Sequence, residues 1–284
     1  MQLAHYSSAL TIDDLLKRRL RVSKMTTFND PFEFSFVAQE PSEELIDETY
    51  MRAWAKSGAD IRRYHFGLSI RENHPVKRDL REFWSTRFRT LCCSNIDEVG
   101  VPDDILMWSH YAEQHMGIRI HFSETFRTHQ ALGFGPMEYE DSLLEFSVDL
   151  LFRSDEDEDI VKFLTKCLRR KAKCWERERE WRAEIPIQAI CETRSDTKSG
   201  KEHDYIRVES GYITRIDFGI RCSVSDETLS QLRSTYKGVK IYQAARCHET
   251  YACRYHVLRE EIPDLADPTR SEKKRKSRRG WKHR

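Results

Sequence analysis

Short segments with helical and strand-like periodicity follow one another along this chain in no regular alternation. Amphipathic patterns predict helices from Thr11, from Ser42 to near Gly58, over 76–88, from Asp103 or Asp104 to Gly117, over 156–172 and over 225–236. Strand-like patterns fall at 3–6, 90–94, 118–122, 180–186, 205–209, 213–220, 240–244 and 250–257. This irregular interleaving predicts an α+β fold, a single domain with a mixed, mostly antiparallel sheet flanked by helices.

Charge divides the chain near its C-terminus. The last 14 residues hold eight basic side chains against one acidic side chain, and the rest of the chain carries a net charge of −6. No Pro/Gly/Ser-rich linker precedes residue 262. We therefore expect one α+β domain over 1–262 and a disordered basic tail over 263–284. Residues 271–284 either make weak nucleic-acid contacts through phosphates or form a solvated end.

Composition excludes several classes of protein. Apolar runs such as 105–108 are far shorter than the roughly 20 residues that span a bilayer. The first residues lack the basic and apolar regions of a signal peptide. Eight cysteines in 284 residues are too sparse for a disulfide scaffold. We therefore expect a cytoplasmic protein with reduced thiols and no membrane partner.

The most informative segment is 171–182, which reads K-x-x-x-W-x-x-E-x-E-W-R. An extended chain from residue 178 places four charged side chains on one face, namely Glu178, Glu180, Arg182 and Glu184. Two neighbouring carboxylates repel, so one has a raised pKa unless Arg182 or Lys171 neutralises the pair. The pair suits a site where positive charge develops, such as an oxocarbenium ion. A solvated, salt-bridged strand edge explains the same pattern.

Two further segments contain candidate binding residues. On a helix, Trp108, Tyr111 and His115 lie on one stripe, which forms either core packing or a cleft wall that stacks a nicotinamide or a base. His110 interrupts the same stripe. On the first strand, His5 precedes small hydroxyl side chains that can bond ribose hydroxyls.

The segment F-N-D-P-F-E at 28–33 is a turn signal. Asn29 and Asp30 therefore either bind a ligand or only shape the turn. Metal and phosphate sites have little support in the sequence. The set Cys247, His248, Cys253 and His256 does not have a standard zinc-finger spacing, and no Gly-rich phosphate loop occurs. We expect no metal cofactor.

Five motifs occur together in a recognisable order. They are L-A-H-Y-S-S, F-N-D-P-F-E, L-C-C-S, M-W-S-H-Y-A-E-Q-H-M-G-I and K-x-x-x-W-x-x-E-x-E-W-R. The set resembles the bacterial family catalogued as domain of unknown function 2971, over about residues 3–185. Ser7 stands where the family usually has Thr, and Cys93 stands where Phe is usual. The second difference places a thiol near the presumed site.

The motif order is also similar to that of ADP-ribosyltransferases, which implies a similar fold and NAD as substrate. The resemblance implies that His5 holds a ribose hydroxyl and that Tyr111, or less favourably Tyr6, stacks on the nicotinamide. It implies that Glu180 binds the nicotinamide-side ribose and stabilises the oxocarbenium ion, while Glu178 orients the acceptor. The other predicted binding residues are Ser7, Asn29, Asp30, Glu33, Trp108, His110 and Arg182.

Three functions follow as hypotheses. The first is a NAD-consuming, ADP-ribosyltransferase-like enzyme that modifies an unknown macromolecule or hydrolyses NAD, as a bacterial toxin or antiphage effector. The second is a non-catalytic nucleotide- or nucleic-acid-binding module of a regulatory or defence system. The third is a metal-dependent nuclease built on Asp30, Glu33, His110 and Glu180, for which the sequence has no nuclease signature.

Overall fold

A computed structural model describes residues 1–39, 75–98, 101–129, 133–147, 157–195 and 200–258. Its α-helices are α1 (Thr11–Leu16), α2 (Pro75–Arg87), α3 (Val101–Tyr111), α4 (Glu124–Arg127), α5 (Asp157–Leu168) and α6 (Asp226–Thr235). Its strands are β1 (Leu3–Ser7), β2 (Arg19–Val22), β3 (Phe36–Gln39), β4 (Phe88–Asn95), β5 (Ile118–Phe122), β6 (Gly133–Pro136), β7 (Glu138–Tyr139), β8 (Leu144–Ser147), β9 (Arg170–Lys171), β10 (Glu180–Pro186), β11 (Ile190–Ser195), β12 (Glu202–Arg207), β13 (Ile213–Phe218), β14 (Lys240–Arg246) and β15 (Cys253–Val257). The predicted helix over 42–58 and the basic tail over 263–284 lie outside the described residues.

The largest sheet has eight strands in the order β15-β14-β13-β5-β1-β4-β10-β6. Its neighbouring strands are antiparallel except for β13 and β14, which run parallel. The described strands also form a three-stranded sheet, β11-β12-β2, and two pairs, β3-β8 and β7-β9. The predicted α+β fold with a mixed, mostly antiparallel sheet is confirmed.

Two helix predictions are wrong in their details. The sequence pattern predicts that Thr11 caps the first helix and that Leu20 lies on its apolar face, but Thr11 is the first residue of α1 and Leu20 lies on β2. Helix α3 ends at Tyr111 rather than at Gly117. Residues 113–115 adopt positive φ angles of 46°, 54° and 72°, which an α-helix does not allow, and Gly117 then approaches β1 so closely that a Cβ there would lie 2.1 Å from the Ser7 carbonyl oxygen.

Apolar side chains form two main cores among the described residues. One lies on the large sheet and includes Ile120, Ile216 and Phe218. The other joins α2, α5, β3 and β8 through side chains such as Trp84 and Phe146. Full burial of one large apolar side chain contributes about 1.5–3 kcal/mol, so these cores hold the sheet and the neighbouring loops together. Within the described part of the chain, we found no helix long and apolar enough to cross a membrane.

The polar side chains of β5 are buried as completely as its apolar ones. The alternating pattern at 118–122 predicts a strand, and the structure confirms it. Arg119 donates to Asp217 Oδ2 from Nε at 2.9 Å and from Nη2 at 2.7 Å. His121 Nε2 lies 2.7 Å from the same oxygen. A buried ionic network therefore replaces the solvent-facing side that such a pattern ordinarily indicates.

Replacing Asp217 with Asn should lower the free energy of unfolding by about 3–5 kcal/mol at neutral pH, because it leaves the Arg119 charge buried without its main partner. Urea unfolding measures the loss. The exposed Asp13→Asn variant is the control, and its free energy of unfolding should stay within about 0.5 kcal/mol of the wild type. Equal stability of the two variants would contradict this assignment.

The same carboxylate gives a pH dependence. Burial opposes ionisation of Asp217, but the His121 hydrogen bond and the Arg119 charge outweigh it and lower the pKa to about 2. Because this pKa is lower in the folded state, ionised Asp217 stabilises the fold at pH values above the unfolded carboxyl's pKa of about 4. This stabilisation is lost as pH falls towards about 2. The stability difference between wild type and Asp217→Asn should therefore narrow over that interval.

Candidate active site

One cavity of about 310 Å³ opens beside β1, β4 and β10 of the large sheet. The structure brings nine of the predicted site residues to its walls: His5, Tyr6, Asn29, Glu33, His110, Tyr111, Glu178, Glu180 and Arg182. His5 and Glu180 come from neighbouring regions of the sheet, whereas Tyr111 is the last residue of α3. Residues that are distant in sequence therefore meet in one cleft.

The prediction that Glu178 and Glu180 lie on one strand is wrong. Glu178 ends a 3₁₀ turn over Lys173–Glu178, and Arg179 follows with a left-handed φ of 45°. Strand β10 begins only at Glu180, which pairs with Ser94. The turn brings Glu178 back to the cavity. Glu184, expected on the same face, instead pairs with Arg169 Nε at 2.7 Å and does not line the cavity.

Arg182 is the most heavily bonded side chain of the site and is only 1% exposed. Its Nη1 and Nη2 each donate to one oxygen of Glu33 at 2.7 Å. Its Nε donates to Glu180 Oε1 at 2.7 Å, and Nη2 reaches Oε2 at 3.1 Å. A further bond at 2.7 Å goes to the Leu168 carbonyl oxygen at the end of α5. Arg182 thus joins two carboxylates and a helix terminus.

Glu180 is buried yet ionised. Burial alone raises the pKa of a carboxyl group, but the charges of Arg182 and Lys171 outweigh this effect and lower the pKa of Glu180 to about 2. The neighbouring Cys92 thiol also helps to lower the pKa of this carboxyl group. The site therefore presents a fixed anion at neutral pH.

Glu178 has a different environment although it lies only two residues away. Its Oε2 accepts from Lys171 Nζ at 2.7 Å, and its Oε1 accepts from the Tyr111 hydroxyl. Burial and the neighbouring Glu180 charge raise the pKa of Glu178, against the lowering effect of Lys171. Two carboxyl groups with oppositely shifted pKa values in one cleft are typical of sites with separate acid–base roles.

Lys171 is not among the predicted site residues, yet it lies at the centre of the cluster. Its ammonium also lies 3.3 Å from Glu180 and 3.4 Å from Glu33, so it contacts all three carboxylates of the cluster. Three carboxylates, Glu33, Glu178 and Glu180, thus face two cations, Lys171 and Arg182. The cluster has one surplus negative charge when all five are ionised. Its place as the first residue of the K-x-x-x-W-x-x-E motif is the sequence feature that could have identified Lys171 as a site residue.

His5 faces the cavity as a neutral imidazole. Burial outweighs its bond to the Cys92 carbonyl and lowers its pKa. His5 Nδ1 lies 2.7 Å from that carbonyl oxygen. Because a carbonyl only accepts hydrogen bonds, Nδ1 carries the proton and Nε2 is an acceptor. An acceptor at this position can receive a hydrogen bond from a sugar hydroxyl.

The turn at 28–33 presents only part of its motif to the cavity. Asp30 Oδ1 accepts from the Phe32 backbone nitrogen at 2.9 Å, so Asp30 shapes the turn and does not line the cavity. Both oxygens of Glu33 bond Arg182, which is why Glu33 supports the cavity wall. Asn29 is exposed at the cavity and is the motif's polar side chain best placed to meet a ligand.

Three predicted binding residues either lie outside the cavity or have polar atoms that already bond other parts of the protein. Ser7 Oγ lies 2.7 Å from Thr11 Oγ1, away from the cavity. Trp108 is fully buried, packs edge-on against Tyr6 and does not line the cavity. Tyr6 reaches the cavity wall, but its hydroxyl donates to Asp104 at 2.7 Å and accepts from Arg119. Because of this packing and these internal hydrogen bonds, the three side chains are not available to bind a ligand.

No cluster of three or more His, Cys, Asp or Glu side chains with the arrangement of a metal site occurs within the described ranges. The four residues of the nuclease hypothesis do not meet as a group of metal ligands. Asp30 shapes a turn, and Arg182 binds the carboxylates of Glu33 and Glu180. These contacts give the nuclease hypothesis no support.

The comparisons with known proteins concern the segment from the last residues of α3 to the start of β10. Residues 107–183 match the family described as protein of unknown function (DUF2971). The predicted resemblance to this family is confirmed over that segment. No curated protein and no solved structure matches the chain. The matched segment includes Tyr111, Lys171, Glu178, Glu180 and Arg182, which supply much of the charged wall of the cavity.

The two glutamates should titrate separately. Between about pH 7 and pH 3, the side-chain carboxyl ¹³C resonance of Glu178 should shift, while that of Glu180 should stay nearly constant because Arg182 and Lys171 keep it ionised. Glu178→Gln and Glu180→Gln assign the two resonances. Arg182→Met should raise the pKa of Glu180. Protonation of Glu180 before Glu178 would contradict the described electrostatics.

Proposed function

We propose that this chain is a NAD-consuming, ADP-ribosyltransferase-like enzyme. It breaks the bond between nicotinamide and ribose and passes ADP-ribose to a macromolecule or to water. The observation that supports this best is the surplus negative charge of the cluster around Arg182, on a cavity wall that also holds His5 and Tyr111. Positive charge develops on the sugar as the nitrogen base leaves, and a preorganised anion stabilises it.

In this proposal Glu180 is the carboxylate that faces the cationic sugar. Its low pKa keeps it ionised, and its two bonds to Arg182 hold both oxygens in place before a substrate arrives. A fixed anion needs little reorganisation when charge develops, which is the basis of electrostatic catalysis. Glu178, with its raised pKa, is proposed to orient the acceptor and to take its proton.

His5 and Tyr111 position the substrate in this proposal. The acceptor nitrogen of His5 binds a ribose hydroxyl. The Tyr111 hydroxyl is held by Glu178, so the orientation of its ring is set before binding. A ring stacked on nicotinamide contributes about 1 kcal/mol. The identity of the acceptor and a role in toxicity or antiphage defence stay predictions of the sequence analysis.

One observation favours the second hypothesis, a non-catalytic nucleotide-binding module. Both oxygens of Glu178 and both oxygens of Glu180 already accept hydrogen bonds from protein donors. A site of this kind can bind a cationic ring without chemistry. Binding and turnover must therefore be measured on the same preparation. The nucleic-acid contact predicted for 271–284 concerns residues outside the described ranges.

Glu180→Gln should slow nicotinamide release from labelled NAD⁺ by a few hundred-fold, about 3–4 kcal/mol of barrier, because it removes the anion but keeps the side-chain volume. The matched control is Glu184→Gln, which removes a partly buried, arginine-paired carboxylate from the same strand but outside the cavity. Its rate should stay within about twofold of the wild type. Nicotinamide is quantified with and without cell extract as a source of acceptor.

Nicotinamide release and NAD⁺ binding, measured on the same preparation, separate the alternatives. NAD⁺ binding by wild type without any nicotinamide release would support the binding module and contradict the enzyme. Release that is equally fast in wild type and Glu180→Gln would contradict the role of Glu180. No binding and no release, with extract present, would contradict both hypotheses.

A further inference from the structure

Lys171 occupies the centre of the carboxylate cluster. Its ammonium lies 2.7 Å from Glu178, 3.3 Å from Glu180 and 3.4 Å from Glu33, and its side chain is 5% exposed. The position comes from β9, which pairs with β7 immediately after α5 ends. Of the charges at this wall, Lys171 is the one that contacts every carboxylate and also has a flexible aliphatic chain.

The same ammonium lies against an aromatic ring. Lys171 Nζ is 4.9 Å from the centre of the Trp175 ring, within the range of a cation–π contact. Lys171 also lines the cavity. Three carboxylates and an aromatic face are the surroundings that attract an organic cation. Lys171 therefore supplies, from within the protein, a positive charge of the kind that a cationic ligand would bring.

We propose that Lys171 sets the charge selectivity of this cavity. Its ammonium reduces the negative charge that a ligand meets, and a positively charged, N-substituted pyridine ring competes with it for the same carboxylates. The class of ligand rests on the proposed function. Lys171 acts here through Glu178 and Glu180 and is a positioning residue.

The proposal predicts the sign of an electrostatic change. Lys171→Met keeps the length of the side chain and removes its charge, so the surplus of the cluster, counted with every carboxylate ionised, grows from one negative charge to two. The attraction for a cation should increase, while the affinity for a neutral ring of the same shape should change much less. We expect the preference for the cation over the neutral ring to rise about tenfold or more.

Two matched variants test whether charge at this position is the cause. Lys171→Arg keeps the positive charge and should keep the wild-type preference. Arg169→Met lowers the net charge of the chain by the same amount, but Arg169 pairs with Glu184 away from the cavity, so the preference should stay within about twofold.

The experiment titrates the intact chain with 1-methylnicotinamide, a cation, and with nicotinamide, its neutral counterpart, and compares the two dissociation constants by NMR. The ratio is independent of the folded fraction, since both probes report on the same folded protein. Lys171→Gln repeats the test if Lys171→Met does not fold. An unchanged ratio in the folded Lys171 variant, or an equal change in Arg169→Met, would overturn the proposal.

A measurement on the wild type needs no variant. The ¹⁵Nζ resonance of Lys171 should shift further at saturating 1-methylnicotinamide than at saturating nicotinamide; a resonance that does not move when the cation binds overturns the inference. The outcome is separate from that of the proposed function. If the preference for the cation depends on Lys171 but NAD⁺ releases no nicotinamide, this inference stands and the proposed enzyme activity is contradicted. If nicotinamide is released but the preference is the same in the Lys171 variants, the enzyme activity stands and this inference is contradicted.

Discussion

A single buried guanidinium, that of Arg182, connects the parts of the chain that surround the cavity. It donates hydrogen bonds to Glu33 on the turn after the 3₁₀ helix Met25–Thr27, to Glu180 at the start of β10 and to the Leu168 carbonyl at the end of α5. Burying a charged group costs several kcal/mol unless hydrogen bonds and opposite charges replace its water. The five donors of Arg182 all find acceptors within 3.1 Å, so the turn, the strand and the helix terminus are held in one arrangement.

A second buried arginine performs a similar task on the other side of β1. Arg119 bonds Asp217 of β13 and Asp104 of α3, at 2.7 Å each. Through Asp104 this network fixes the helix whose last residue, Tyr111, reaches the cavity. Both networks use charged residues where the strands have no solvent face. The geometry of the cavity therefore depends on ionic contacts as well as on apolar packing.

The charge balance of the site connects its geometry with the proposed chemistry. Tightly paired carboxylates retain their charge in a low-dielectric environment, and unequal numbers of anions and cations leave a net field at the cavity. That field favours a ligand that is, or becomes, positively charged. The family match over 107–183 includes the residues of Lys171, Glu178, Glu180 and Arg182, so the source of this field lies largely within the matched segment.

The sequence by itself predicted eight of the fifteen described strands and the types of residue at the site. Strand β10 has the bounds that its pattern predicts, and the motifs correctly indicated His5, Tyr111 and Glu180 as residues of one cleft. Only the tertiary structure decided how the charges pair. Alternation along a strand suggested that Glu178 and Glu184 belong together, but a left-handed residue at Arg179 separates Glu178 from β10, and Arg169 removes Glu184. The Arg182–Glu33 pair joins residues 149 positions apart, and the closer Arg169–Glu184 pair joins the residue after α5 to β10, so periodicity within one element carries no information about either.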